Sequence, residues 1–279
     1  MHNQHLTFNV GECTVVKVME RELQIPAGNL FSGFIHSGDP LHGQPVPLSI
    51  HSWLIHTPDD VIVIDTGTGN GRDRGNNPLY DHISSPYQDN FLATGVKPEE
   101  VTLVLLTHLH TDHVGWNTVE DNNRWVPMFP NARYICSAKE LERVKHMERY
   151  RNLWLDSLLP IIEAGLLETI DVAAEPVFGN TIKYIPTPGH SPDHASLIIS
   201  SGGEYGLFTG DLMHSPLQLA HPEWNSVFCH DHQQAESSRR KAITWCQQNN
   251  ALWFSAHFAG ESCARLTQDK TGQLRWLAA

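Results

Sequence analysis

The chain has 279 residues, with 19 Lys and Arg against 31 Asp and Glu, a formal charge of −12 with histidine neutral. Binding a nucleic-acid backbone calls for a basic patch, and the one cationic run, Arg239-Arg240-Lys241, is expected on a solvated helix face, so nucleic acid is not expected as a partner. No apolar run approaches the roughly 18 residues a bilayer span needs, which excludes a membrane-spanning helix, and no membrane partner is expected.

The first residues, Met1-His2-Asn3-Gln4-His5, lack the basic and apolar regions of a signal peptide. The five cysteines, at 13, 136, 229, 246 and 263, form no Cys-x-x-Cys pair and suit free thiols in a reducing compartment. A cytoplasmic location is expected.

In chain order, residues 13–19 have strand composition. Residues 26–50 are rich in Pro and Gly and predict a long loop, either a flap near a site or a segment packed on the surface. The runs 53–56 and 61–64 predict a hairpin across Thr57-Pro58-Asp59-Asp60. Asp65-Thr66-Gly67-Thr68-Gly69-Asn70-Gly71 imitates a phosphate cradle, but no Lys-Ser/Thr follows and that reading fails. A helix is expected over 86–95, and 101–106 is a short apolar run of the kind buried on both faces.

That run opens into Thr107-His108-Leu109-His110-Thr111-Asp112-His113. Three imidazoles and a carboxylate within six residues cannot converge from a regular helix, but a loop leaving a strand can aim them at one point. Neutral imidazole and carboxylate are ligands that a borderline cation such as zinc accepts, so a metal site is expected here.

Beyond it, 125–130 reads as an irregular apolar connection and 132–136 as a strand. Ser137 caps a helix over 138–150 with Leu141, Val144 and Met147 at helical spacing, and a second helix over 153–167 is interrupted by Pro160. A strand at 182–185 leads into Pro188-Gly189-His190, and 195–200 with 205–209 predict a hairpin. His230-Asp231-His232 looks like a metal triplet, yet Asp231 is placed to begin the helix 235–248, and a surface position is expected. His221 with Trp224 either walls a pocket or packs structurally. A last strand, 252–255, delivers His257.

The order of these features resembles the metallo-β-lactamase-fold hydrolases. His108-x-His110-x-Asp112-His113 matches their signature. Asp65 after a strand, His190 in Pro-Gly-His, Asp211 after Leu207-Phe208-Thr209-Gly210, and His257 after Phe254-Ser255-Ala256 follow in the family's order. The resemblance runs from residue 61 to 257. It implies an α/β fold, a four-layer αββα sandwich of two mixed sheets with flanking helices; one domain over 1–279 is expected, with the loop 26–50 read as its flap. Ligands drawn from 108 to 257 meet only if both halves fold together.

The resemblance also implies a ligand set. His108, His110 and His190 would hold one divalent ion and Asp112, His113 and His257 a second, with Asp211 between them. The ions would be Zn, with Mn, Fe or Co as alternatives, since His and carboxylate suit all four. Asp65 would hydrogen-bond the metal loop without touching metal, and the first histidine of Pro-Gly-His, not His194, would be the ligand. Seven ligands for two ions leave open positions, as in a catalytic site.

The expected reaction is hydrolysis of a small-molecule ester or lactone by a hydroxide shared between the ions, with Asp112 assisting proton transfer. The sequence looks most like the branch of N-acyl-homoserine lactone lactonases and methyl-parathion-type hydrolases. Lactonases of that branch place a Tyr three residues after the bridging Asp; here His214 stands there, as a candidate hydrogen-bond donor. Alternatives are a phosphotriester hydrolase, an iron-dependent oxidoreductase, or a non-catalytic metal-binding module, with a homodimer as an open arrangement. The complete ligand set argues against the last two functions.

Overall fold

Where β-branched and aromatic residues run together the chain extends. The computed structural model describes residues 5–270 and 274–278. The strands are β1 Thr7–Val10, β2 Cys13–Pro26, β3 Pro45–His56, β4 Val61–Ile64, β5 Leu103–Leu105, β6 Thr118–Asp121, β7 Arg124–Pro127, β8 Arg133–Ser137 and β9 Leu167–Ile170. They continue with β10 Val177–Phe178, β11 Ile182–Pro186, β12 Ala195–Ser201, β13 Glu204–Phe208, β14 Leu252–Phe254, β15 Cys263–Gln268 and β16 Leu274–Ala278. The chain divides into two compact units, Met1–Arg21 with Ile50–Ala174, and Glu22–Ser49 with Glu175–Ala279.

The first unit is organised on a mixed sheet of order β1-β2-β3-β4-β5-β8-β9. Strands β4, β5, β8 and β9 are parallel neighbours. The continuous Val, Ile and Leu runs of β4 and β5 suit burial on both faces. The expected hairpin of β3 and β4 forms, with His56 opposite Val61. Because Ile64 lies beside Leu105, Asp65 and the His108 loop leave the sheet at the same end. Ligand-bearing residues commonly gather there, beyond the carboxyl ends of parallel strands. Val63, Val104, Phe91, Trp116 and Tyr134 belong to the core of this unit.

Ser137 caps the helix Ala138–His146 as expected, its side chain accepting from Lys139 and Glu140 N–H. The helix stops short of 150 because Met147 is extended at φ −101°, ψ 117°. The next helical stretch, 151–163, passes through a π turn at Trp154–Leu158. Pro160 has no N–H for the carbonyl four residues back, and its ring crowds that carbonyl. The Asp156 carbonyl instead accepts from Arg72 Nη1 at 2.9 Å and Thr118 Oγ1 at 2.5 Å. Leu167, expected in the helix, starts β9. Within 125–130, residues 125–127 belong to β7, which pairs with β6 around Asn122 and Asn123, both at positive φ.

The second unit carries a mixed sheet of order β10-β11-β12-β13-β14-β15-β16, in which β13 and β14 are the parallel pair. The hairpin of β12 and β13 closes through Gly202 and Gly203 at φ +57° and +83°, torsions that glycine takes without steric cost. Phe208 lies beside Phe254, so Asp211 and His257 leave this sheet at one end. The helix His232–Gln248 begins at Asp231, which caps Gln234 N–H, while His230 and His232 are exposed.

Two expectations change. Of residues 26–50, Ala27–Leu30 is a helical turn and β3 starts at Pro45, leaving 31–44 irregular. Ala27, Leu30, Phe31, Ile35, Val46 and Leu48 are buried together there, with Leu217, Trp224 and Phe228 packed against them. Arg240 and Lys241 are exposed as expected, but Arg239 is fully buried. Its Nε donates to Leu212 O at 2.8 Å, Nη2 to Asn225 Oδ1 at 3.2 Å, and Nη1 to Pro222 O. No helix among the described residues is long and apolar enough to cross a membrane, and none of the five cysteines is in a disulfide.

Candidate metal centre

In the first unit the loop after β5 gathers three imidazoles. The ring of His108 lies 4.5 Å from that of His110 and 4.1 Å from that of His113, centroid to centroid. His108 and His113 are buried, His110 and Asp112 half-buried, and Asp112 Oδ1 is 3.9 Å from His113 Nε2.

Asp65, itself at φ +52°, organises this loop. Its carboxylate accepts from Thr107 N at 2.9 Å, Thr107 Oγ1 at 2.8 Å and His113 Nδ1 at 2.8 Å. Since the Thr107 hydroxyl spends its proton on Asp65, the His108 Nδ1 beside it at 3.0 Å is the donor of that contact. Both rings therefore hold a proton on Nδ1 and a lone pair on Nε2, the form that binds metal. The expected role for Asp65 follows from these contacts. Asp65→Asn is expected to weaken metal binding by about 10- to 100-fold, the usual effect of losing such a partner. Competition against a chromophoric chelator measures this, and wild-type affinity in the variant would contradict the role.

Three features that sequence reasoning missed hold the loop in place. The glycine-rich segment after Asp65 does cradle an anion, but the anion is Glu20: Thr68 N and Gly69 N donate to it at 2.7 and 3.0 Å, and Trp116 Nε1 at 2.6 Å. Burial raises the Glu20 carboxyl above its ordinary value, against the lowering pull of these donors. Arg74 donates from Nε to Thr111 Oγ1 at 2.6 Å and pairs with Asp156 at 2.6 and 2.9 Å. Arg72, buried beside the same carboxylate, donates to Gly115 O and Thr118 O at 2.6 Å each. At Gly115 a Cβ would meet Thr68 O at 1.8 Å, so the backbones touch there.

In the second unit His190, Asp211, His214 and His257 come together, each nearly fully buried. Asp211 Oδ2 is 3.1 Å from His190 Nε2 and 3.3 Å from His214 Nε2, and Oδ1 is 2.9 Å from His257 Nε2. His257 Nδ1 donates to Ser49 O at 3.1 Å, which leaves the lone pair on Nε2 facing the carboxylate. Burial drives His190 down to about 3, against the raising effect of Asp211, so its ring is neutral near pH 7. The His257 lone pair turned toward Asp211 Oδ1 repels unless a cation is shared between them, and imidazole with carboxylate is the set a divalent ion takes. These residues fit a metal.

His194 is placed differently. Its Nδ1 donates to Thr187 O at 3.0 Å and its Nε2 accepts from Asp211 N at 3.0 Å, so it positions the Asp211 backbone. Gly189, at φ +130°, packs where a Cβ would meet Ala235 N at 2.0 Å, seating the His190 loop on the helix start. His221 is exposed and stacks on Trp224 at 4.1 Å and 8°.

The chain belongs to the metallo-β-lactamase superfamily, whose family model matches residues 45–244. The fold is the α/β metallo-β-lactamase fold with mixed sheets. A Bacillus subtilis (strain 168) protein named "Probable metallo-hydrolase" is 25% identical over 179 residues, 64% of this chain and 68% of that protein. An N-acyl homoserine lactonase of Bacillus cereus is 26% identical over 171 residues, 57% of this chain and 61% of the lactonase, so the match spans about three fifths of that relative. Among solved structures, a hydrolase of the beta lactamase superfamily, AbOPH, superposes with a TM-score of 0.81 at 21% identity, covering 99% of this chain and 97% of that one. A dizinc quorum-quenching lactonase, AidC, bound to its product N-hexanoyl-L-homoserine, gives 0.75 at 20% identity over 99% and 97% of the two chains.

Proposed function

We propose that this protein is a metal-dependent hydrolase with two divalent ions, acting on a small-molecule ester or lactone. One observation carries the reading: in both units, candidate ligands spend Nδ1 on an oxygen, His108 on Thr107, His113 on Asp65 and His257 on Ser49, and so keep Nε2 for a cation. The named lactonase relatives support it from outside the chain.

In this reading His108, His110 and His190 hold one ion, Asp112, His113 and His257 the other, and Asp211 is shared. Two such ions, when bound, lower the pKa of water toward neutrality and polarise the bond under attack. The chain's own residues set the stage for that chemistry. Asp65, Thr107 and Ser49 fix the imidazole tautomers, and His194 fixes the Asp211 backbone. Asp112, half-buried in the same loop, takes up the proton released by the attacking water and returns it to the leaving oxygen.

A panel of lactones, aryl esters, phosphotriesters and β-lactams, run on protein reconstituted with Zn, Mn, Fe or Co, tests the substrate class. Turnover of lactones or esters at least about tenfold above the other classes in kcat/KM is expected. Preference for phosphotriesters would move the reading to the second hydrolase class. Inactivity on the whole panel would remove the ester and lactone assignment.

A further inference from the structure

His214 is absent from the seven-ligand set, yet its side chain is only 2% exposed and its Nε2 reaches the same Asp211 oxygen as His190. The ring is not free to choose another direction. His214 N donates to Gln218 Oε1 at 2.7 Å, and Gln218 Nε2 donates to Trp224 O at 2.8 Å, which ties the backbone on both sides. The imidazole stacks on His257 at 5.1 Å and 18°, with the rings of His190 at 5.3 Å and Phe228 at 5.6 Å beside it. Arg239 braces the same segment through the Leu212 carbonyl.

We infer that His214 is a metal donor, its Nε2 completing with Asp211 and His257 a three-donor set for one ion inside the second unit. The donor atoms of these three buried residues lie within 4.8 Å of one another. Ligands at tetrahedral Zn–N and Zn–O distances are about 3.3 Å apart, so small side-chain shifts bring all three onto one ion. His257, with its Nδ1 donating to Ser49 O, turns the Nε2 lone pair toward Asp211 Oδ1 at 2.9 Å, a contact that a shared cation makes favourable. The inference rests on the metal-dependent reading above and adds an eighth donor to it. At the position three residues after the shared carboxylate, imidazole then serves the metal and not the substrate.

The test uses the full chain stripped by a chelator and titrated with Co(II), followed by calorimetry and by the visible cobalt absorption. Wild type, His214→Ala, His214→Gln and His110→Ala are compared, with circular dichroism of the metal-free forms as the folding control. Losing an outer partner of a ligand costs about 10- to 100-fold in affinity, so losing a ligand should cost at least about a hundredfold. One cobalt equivalent is expected to weaken by that much in both His214 variants, with a changed absorption band. Wild-type affinity and an unchanged band in His214→Gln, which donates hydrogen bonds but ligates poorly, would overturn the inference. Failure of the two-ion reading looks different: wild type would take up one equivalent, or His110→Ala would keep both. The His214 comparison is then read on the ion that remains.

Discussion

Asp211→Ala is expected to remove turnover and metal uptake together. The Asp211 carboxylate faces three imidazole Nε2 atoms at 2.9, 3.1 and 3.3 Å, and in the proposed centre it is the ligand both ions share. Deleting it takes the anion from a buried cluster of cation-binding groups, and kcat/KM should fall more than about a thousandfold, ~4 kcal/mol of transition-state stabilisation. The backbone contact from Asp211 N to His194 Nε2 survives the substitution, so the variant should fold. Asp211→Asn keeps the volume without the charge and should fail nearly as badly. Elemental analysis beside kinetics checks both variants. An alanine variant that keeps its full metal complement would show that the carboxylate is not shared.

Asp156→Ala should produce the largest loss of stability. The Asp156 carboxylate pairs with Arg74 at 2.6 Å and lies 3.7 Å from Arg72 Nη1, with all three side chains less than a tenth exposed. Burial lowers Arg72 to about 10, partly countered by Asp156, so the guanidinium stays charged at neutral pH and needs its carboxylate. Removing one member of such a buried cluster costs about 3–5 kcal/mol, because the remaining charges stay behind without compensation. For a chain of this size that lowers the melting temperature by roughly 10 °C. Thermal unfolding followed by circular dichroism measures the shift, and a change below about 1 °C would contradict the account. The loss should also reach the metal loop, since Arg74 holds Thr111 between His110 and Asp112.

How much of this was legible in the sequence depends on what kind of signal each feature leaves. Val61-Ile62-Val63-Ile64 and Leu103-Val104-Leu105 announce buried parallel strands by their unbroken apolar runs, and the loops that follow them carry the chemistry-bearing residues openly. The helix His232–Gln248 was marked by its cap, Asp231. Arg239 left no such mark, because its partners are the carbonyls of Leu212 and Pro222, and a carbonyl looks the same behind every residue type. The π turn at Trp154–Leu158 was hidden for a similar reason: Pro160 shows that a helix must give way, but not that Arg72 and Thr118 take the released carbonyl. Glu20, distant in sequence from the glycine-rich segment it fills, could not be paired with it by spacing.

His214 shows where family resemblance stops helping. The resemblance marks position 214 as a departure, whereas the Gln218 contact and the stack on His257 give the ring its direction. Likewise His190 and His194, four residues apart, differ in role because Nε2 of His194 already accepts the Asp211 N–H.

The most direct measurement is metal content against rate on one preparation: the chain is stripped with a chelator, then reloaded stepwise with zinc while lactone or ester hydrolysis is followed. The account predicts no turnover in the stripped chain and a rate that climbs until two ions are bound per chain. Full turnover by protein free of metal would contradict it.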